Sequence, residues 1–248
     1  MCRPRILKFI NFIDIGFLLI YNSSRKEVMS MAKRKMTVAL CVLAAVMCLA
    51  GVLIYRQFHI YSAEDFGFED IKSPNDADGD GIDDYTDMVE GARAYIATNP
   101  EYKSAYYAGG YPTDGYGVCT DVIWQAFLAA GYSLKDMVDA DIAARTDEYF
   151  DDGERADPNI DFRRCRNLLV FFRKYAEELT VSTDNPEDWM PGDIVLYDGH
   201  IAICSDKRNA RGLPYIIHHG NPIENAVEAD QLTTTYGGEI VGHFRFCP

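Results

Sequence analysis

The sequence predicts an α+β fold, with helices packed on a small antiparallel sheet behind an N-terminal membrane helix. Between residues 88 and 175, apolar residues recur at helical spacing. After Trp189 the pattern changes to short runs rich in Val, Ile and Tyr, separated by turn residues. Helices first and strands later are typical of α+β domains. The 248 residues suffice for one such domain and an appendage.

The appendage is predicted to be a transmembrane helix over residues 37–55. This run, TVALCVLAAVMCLAGVLIY, holds 19 residues without a charge, and a helix needs about 20 apolar residues to cross a bilayer. Lys33, Arg34 and Lys35 precede it, so residues 1–36 are expected in the cytoplasm and the body outside the cell. The prediction is a single-pass protein of the cell membrane, and a cleaved signal peptide is the alternative.

Residues 1–30 raise a separate question about the start of translation. Lys26-Glu27-Val28 can be encoded AAG-GAG-GTN, which contains a bacterial ribosome-binding sequence at a suitable distance upstream of Met31. We hypothesise that translation starts at Met31 and that residues 1–30 are over-annotated. The codons used for Lys26 and Glu27 test this hypothesis.

Charge is distributed unevenly and excludes one class of partner. Residues 1–61 hold 9 basic and 2 acidic residues, whereas the rest of the chain holds 15 of the 24 basic and 36 of the 38 acidic residues. So acidic a body repels phosphate backbones. We therefore expect no nucleic-acid partner.

A polar stalk is predicted for residues 56–75, followed by a calcium-binding loop, DADGDGIDDYTD, at residues 76–87. Its alternate carboxylates, a glycine in sixth place and a carboxylate in twelfth place are typical of EF-hand-like loops, and the pattern resembles extracellular thrombospondin-type and dockerin loops. The alternative is a flexible acidic linker. A bound Ca²⁺ is expected to stabilise the fold without taking part in catalysis. The predicted ligands are Asp76, Asp78, Asp80, the carbonyl of Ile82 and Asp87, with Asp84 binding through water.

The elements of the body follow from periodicity and turn residues. A helix is expected from about Thr86 to the Asn99-Pro100 stop, and residues 101–117 form a loop rich in Tyr and Gly. Three further helices are predicted at residues 122–130, at 134–144, and from Asp157-Pro158-Asn159 to about residue 175. Strands are predicted at residues 193–197, 200–205, 214–219 and 240–246, the first three as antiparallel hairpins.

Cys119 is the candidate nucleophile. The thiolate is the reactive form of cysteine, and a helix N-terminus or a nearby imidazole lowers the thiol pKa. Cys119 lies where a helix begins, after Gly115 and Gly117, and His200 opens a later strand. Taken alone, a cysteine before an apolar helix is more often a small buried residue. Cys165, inside a helix, and Cys204, inside a strand, are expected in the core.

Several motifs in chain order resemble a known superfamily. Residues 106–127, YYAGGYPTDGYGVCTDVIWQAF, are similar to the nucleophile region of NlpC-type cell-wall cysteine peptidases. WMPGDIVLYDGHIAICSD at 189–206 and IIHHG at 216–220 resemble their PGD turn, their His-led strand and the strand with the third polar residue. The whole set resembles DUF1287, a bacterial family of domains of unknown function within this papain-like superfamily.

The resemblance implies roles for individual residues. Cys119 matches the nucleophile, His200 the general base and His218 the residue that orients the base, while Tyr106 matches a tyrosine that supports the oxyanion. This chain has IHHGN where relatives more often have IHN. His219 and Asn221 are therefore alternatives for the third role, and since neighbouring strand residues face opposite sides, only one of the two histidines can face Cys119.

The functional prediction is a membrane-anchored, extracellular cysteine hydrolase with a papain-like domain at residues 88–248. By resemblance, its substrate is a peptide or amide bond in cell-wall peptidoglycan. Two alternatives remain. One is an acyltransferase or lipid amidase using the same Cys-His pair, and the other is a non-catalytic, calcium-stabilised cell-wall-binding module.

Overall fold

A computed structural model describes residues 10–221, 223, 225–235 and 239–248. The chain divides after Phe58 into two compact units. The first nine residues, which belong to the predicted cytoplasmic and over-annotated segments, lie outside the described residues. Each unit is described separately below.

The first unit contains one continuous helix, α1 (Ile10–Phe58). It includes the predicted membrane span at residues 37–55 and continues towards the N-terminus through Met31. Among the described residues, one helical stretch, Tyr21–Arg56, is long and apolar enough to cross a membrane. This helix fits a single-pass anchor, although a signal sequence would have the same length and composition.

The helices of the second unit are α2 (Asp84–Ala97), α3 (Cys119–Ala129), α4 (Leu134–Ala144), α5 (Thr146–Tyr149) and α6 (Cys165–Tyr175). Ser133 begins α4 by accepting a hydrogen bond from the Asp136 amide, as polar N-cap residues do. The helix predicted from Asp157 is wrong at its start. Residues Asp161–Arg163 form a short 3-10 turn and Arg164 is extended, so that α6 begins only at Cys165.

The strands form a six-stranded antiparallel sheet, and the prediction of mixed helices and antiparallel strands is confirmed. Two other strands pair in parallel within the predicted loop 101–117, β1 (Glu101–Tyr102) with β2 (Tyr116–Gly117). The strands of the large sheet are β3 (Ala176–Glu178), β4 (Ile194–Tyr197), β5 (His200–Arg208), β6 (Pro214–His219), β7 (Ala226–Ala229) and β8 (Ile240–Phe246). They lie in the order β3-β8-β4-β5-β6-β7. Sequence analysis missed β3 and β7, which are short edge strands.

Side chains alternate between the two faces of the sheet and so contribute to two cores. One face packs under the helices: Ile201, Ile203 and Ile217 lie in one cluster with Val122, Ile123 and Phe127 of α3. The other face carries a smaller cluster that contains Ala202, Cys204 and Ile216 around Trp189. This arrangement places the start of α3 beside the start of β5 and near the ends of β4 and β6.

The segment predicted as a stalk at residues 56–75 is, from His59 onwards, part of the second unit. Tyr61 and Arg208 exchange two backbone hydrogen bonds of 2.9 and 2.7 Å. The guanidinium of the fully buried Arg208 lies over the ring of Phe68 at 5.2 Å. The polar composition of residues 56–75 concealed these few anchoring contacts, which extend the folded unit back to His59.

Candidate functional site

The start of α3 presents Cys119 as its first residue. Val118 before it is extended, and its amide donates to the Asp121 carboxylate at 2.7 Å, so the third helical residue caps the start of its own helix. Gly117 is required here by close approach, since a Cβ at this position would lie 2.0 Å from the hydroxyl of Tyr95. The sequence of residues 117–121 thus ends the loop and fixes the direction of the thiol.

A buried ion pair holds the start of α3 against the turn before α6. Arg163 binds Asp121 with two parallel hydrogen bonds of 2.8 Å, and both side chains are almost completely buried. Arg163 also donates to the carbonyl of Ala105 at 3.1 Å, and the Thr120 hydroxyl donates to the carbonyl of Arg163 at 3.2 Å. These contacts bring the loop, α3 and the turn that leads to Cys165 to a common point.

The thiol of Cys119 lies among groups that stabilise its ionised form. It is 8% exposed, and its Sγ is 3.7 Å from the Sγ of Cys165. The hydrogen bond with Cys165 is the largest of the causes that hold the pKa of Cys119 well below its usual value, and burial opposes it. A hydrogen bond and the charge of His200, together with the amide of Ile201, lower the pKa further. The pKa of Cys165 is raised because it donates to that thiolate and is itself buried.

Cys165 was predicted to be a core residue; it packs half-buried against the main core, and its thiol also meets that of Cys119. Because its thiol donates to the Cys119 thiolate, Cys165→Ala should slow alkylation of Cys119 by iodoacetamide at pH 6. We expect a decrease of about tenfold or more, since a hydrogen bond to a charged group contributes about 1.5–3 kcal/mol. The lowered thiol pKa means that this loss is largest at acidic pH and disappears once the pH exceeds the thiol pKa of both proteins.

The matched variant is Cys165→Ser, which keeps an O–H donor at the same place and should retain most of the rate. Mass spectrometry of the Cys119 peptide measures both rates across pH. An alanine variant as fast at pH 6 as the unaltered protein would contradict the role of Cys165.

The candidate base and the candidate orienting residue come from neighbouring strands. His200 opens β5, and its Nε2 lies 3.0 Å from Nδ1 of His218 on β6. Nε2 of His218 lies 2.7 Å from Oε1 of Gln231. Since an amide oxygen only accepts, His218 donates to Gln231 and its Nδ1 accepts from Nε2 of His200. The Nδ1 of neutral His200 is then the nitrogen that can take the proton of Cys119. Burial and the neighbouring His200 lower the pKa of His218 to about 4, so the ring of His218 is neutral at pH 7 and its Nδ1 is free to accept this bond.

The residues left open for the third role lie in different surroundings. His218 is the one that bonds His200. The ring of His219 packs edge-on against Tyr102 with 5.4 Å between centroids, and neither of its nitrogens has a hydrogen-bond partner among the described residues. Asn221 accepts from the amide of Ile223 at 2.9 Å. Of the three candidates, His218 is the one whose hydrogen bond to His200 the structure shows.

Tyr106 does not have the surroundings expected for an oxyanion residue. Its side chain is 57% exposed, and its hydroxyl bonds Asn159 at 2.9 Å and Asp157 at 3.4 Å. The tyrosine beside the thiols is Tyr102, whose pKa is raised by burial and then by the charges of Cys119 and Cys165. The loop residue that resembles the family tyrosine is thus used to tie down the turn before α6.

Three neighbours of the site were missed by the sequence analysis. Cys165 carried one signal, because it lies on the apolar stripe that a helix would turn towards α3. Tyr102 carried none beyond its place in a tyrosine-rich loop. Gln231 follows a strand that was itself missed, and no motif surrounds it.

Comparison with known proteins identifies the family. Residues 89–246 match the model described as "Domain of unknown function (DUF1287)". "Uncharacterized protein YijF" of Escherichia coli strain K12 is 33% identical over 170 residues, which cover 64% of this chain and 80% of that protein. No solved structure matches the chain. The matched region includes the start of α3 and the strands that carry both histidines, and on this evidence of sequence the chain belongs to the DUF1287 family.

Proposed function

We propose that the protein is a papain-like cysteine hydrolase of the NlpC type, anchored by α1 with its second unit outside the cell. The observation that carries this proposal is the chain of contacts from Cys119 through His200 to His218. A thiol at a helix start, a histidine opening a strand and a polar residue on the neighbouring strand supply nucleophile, base and orienting group in that chain order.

Each group has one task in the proposed reaction. His200 takes the thiol proton on Nδ1 and keeps its Nε2–H bonded to His218, which holds the ring in place. The Cys119 thiolate attacks the amide carbonyl, and the first amides of α3 stabilise the negative oxygen that forms. The N-terminal dipole of the helix favours the same charge.

The proposed reaction uses the substrate, one water molecule and the side chains of Cys119 and His200. The S–C bond forms and the C–N bond breaks as His200 returns its proton to the leaving amine, which yields an acyl-enzyme and a free amine. A water molecule then gives a proton to His200 and attacks the acyl group. The S–C bond breaks, the product leaves as a carboxylic acid, and the thiol proton is restored from His200.

The proposed substrate is a peptide or amide bond of cell-wall peptidoglycan. This choice rests on two supports: the motif resemblance to wall-directed peptidases and an apolar helix suited to hold the domain at the outer face of the membrane. A hydrolase in that position meets the wall as its nearest polymer.

The test is incubation of the full-length protein in detergent micelles with purified peptidoglycan, followed by mass spectrometry of released fragments. We expect new amine and carboxyl ends in equal amount, and none with Cys119→Ala. Cys247→Ala, which alters an exposed cysteine, is the matched control and should retain full release.

Three other results would assign the protein to a different class or overturn the proposal. Transfer of the acyl group to an added amine, with no free acid, would identify an acyltransferase. Slow alkylation of Cys119 together with retention of the protein on the wall would replace the hydrolase with a wall-binding module. Equal release by the Cys119→Ala variant would overturn the proposal.

A further inference from the structure

The loop before α2 gathers three carboxylates that the proposed hydrolysis does not use. One side-chain oxygen each from Asp76, Asp78 and Asp80 lies within 4.8 Å of the others. All three residues are exposed. Three exposed acidic side chains by themselves do not define a cation site. Whether a cation can bind here depends on the residues around them.

Asp87 gives the second and independent observation. It stands in the first turns of α2 and is 8% exposed, and its Oδ2 has no hydrogen-bond partner among the described residues. It is the twelfth residue of the loop that begins at Asp76, and the charges of Asp80, Asp78 and Asp76 act on its carboxyl. A buried carboxylate oxygen without a donor is costly, and a cation at this point would satisfy it.

The backbone of the loop turns sharply and arranges the groups around its inner side as calcium loops do. Gly81 has a φ of +95°, which other residues rarely adopt, and its amide donates to Oδ2 of Asp76 at 2.9 Å. The chain turns sharply there and brings Ile82 to the seventh position, where calcium loops use the carbonyl oxygen. The carboxyl of Asp87 approaches from the following helix.

Asp84 does not serve as the water-mediated ligand that the sequence suggested. Its Oδ1 accepts from the amide of Ala77 at 2.9 Å, and its Oδ2 accepts from the hydroxyl of Tyr132 at 2.6 Å. Tyr132 follows α3, and a Cβ on the neighbouring Gly131 would lie 3.0 Å from Asp78. Asp84 therefore fastens the loop to the turn between α3 and α4.

We propose that a calcium ion binds in this loop, held by Asp76, Asp78, Asp80 and Asp87 and by the carbonyl of Ile82. Four carboxylates and a carbonyl are hard oxygen ligands, which Ca²⁺ accepts in irregular geometries, whereas the smaller Mg²⁺ requires a nearly ideal octahedron. The ion joins the loop to the first turn of α2 and removes the repulsion among the four carboxylates. The site is independent of the proposed hydrolysis, so that Cys119→Ala should bind calcium normally.

Calorimetric titration of the full-length protein in detergent, stripped with a chelator, tests the site with CaCl₂. We expect one site with a dissociation constant of about 10⁻⁴–10⁻³ M, as in extracellular calcium modules, and weaker binding of MgCl₂. At 10 mM Ca²⁺ the melting temperature should rise by about 5–10 °C if the constant is near 10⁻⁴ M.

Variants locate the ion. Asp78→Asn and Asp87→Asn should each weaken binding by tenfold or more, whereas Asp152→Asn, at an exposed carboxylate away from the loop, should bind as the unaltered protein does. Asp78 is exposed, so its replacement tests the site without disturbing a buried group. No heat of binding and no change in melting temperature up to 10 mM Ca²⁺ would overturn the proposal. Unchanged affinity in both loop variants would do the same.

Discussion

In His200→Ala, alkylation of Cys119 at pH 6 should fall at least about tenfold, because a hydrogen bond to a charged group contributes about 1.5–3 kcal/mol. Hydrolysis of the substrate should fall further, by about 10²–10⁴-fold, which is the usual contribution of a general acid–base. Iodoacetamide labelling followed by mass spectrometry of the Cys119 peptide measures the first effect. Release of peptidoglycan fragments measures the second.

Gln231→Leu gives a graded comparison with His200→Ala. It leaves both histidines in place but removes the oxygen that accepts from His218, so the tautomer of His200 is no longer selected. Alkylation and hydrolysis should fall less than in His200→Ala, whereas Gln231→Glu, which keeps an acceptor, should retain more of both. Equal rates in His200→Ala and the unaltered protein would remove His200 from the mechanism.

The second large effect concerns stability. Arg163→Met should destabilise the protein by about 3–5 kcal/mol, because it leaves the carboxylate of Asp121 buried without its partner. For a domain of this size the melting temperature falls by about 2–4 °C for each kcal/mol. Thermal unfolding followed by circular dichroism should therefore show a decrease of about 6–20 °C.

Arg166→Met is the matched control. Arg166 lies three residues further on and pairs with Glu154 in an exposed ion pair, so its replacement should leave the melting temperature nearly unchanged. The double variant Asp121→Leu/Arg163→Met should recover part of the loss, since no unpaired charge stays buried. If Arg163→Met and Arg166→Met had the same melting temperature, the buried pair would not hold the start of α3.

Local patterns account for the parts of the fold that were predicted correctly. Helix α4 matches its predicted bounds, because Ser133 gives a polar N-cap and an apolar stripe marks its inner face. Strands β5 and β6 were found because runs of Val, Ile and Tyr lie between turn residues. The order of cysteine and histidine motifs also placed Cys119, His200 and His218 on the right elements.

The remaining features depend on contacts between distant parts of the chain. The break before α6 arises where Arg163 turns to Asp121, and periodicity carries no trace of a partner in another helix. His243, near the C-terminal end of β8, is buried and bonds Asp193 at 2.9 Å, although the two residues lie 50 positions apart. Gln231 belongs to the site only because β7 returns beside β6.

The contact between Cys119 and His200 also makes the thiol a measure of tertiary structure. The two residues belong to different layers, and three helices and two strands lie between α3 and β5 along the chain. Once the helices leave the sheet, the thiol loses the imidazole and the Ile201 amide together, and its pKa rises towards the value of about 8.5 that a free cysteine has. The rate of Cys119 alkylation at acidic pH therefore reports the fraction of molecules in which the two layers are docked, and it follows their separation in denaturant without an engineered probe site.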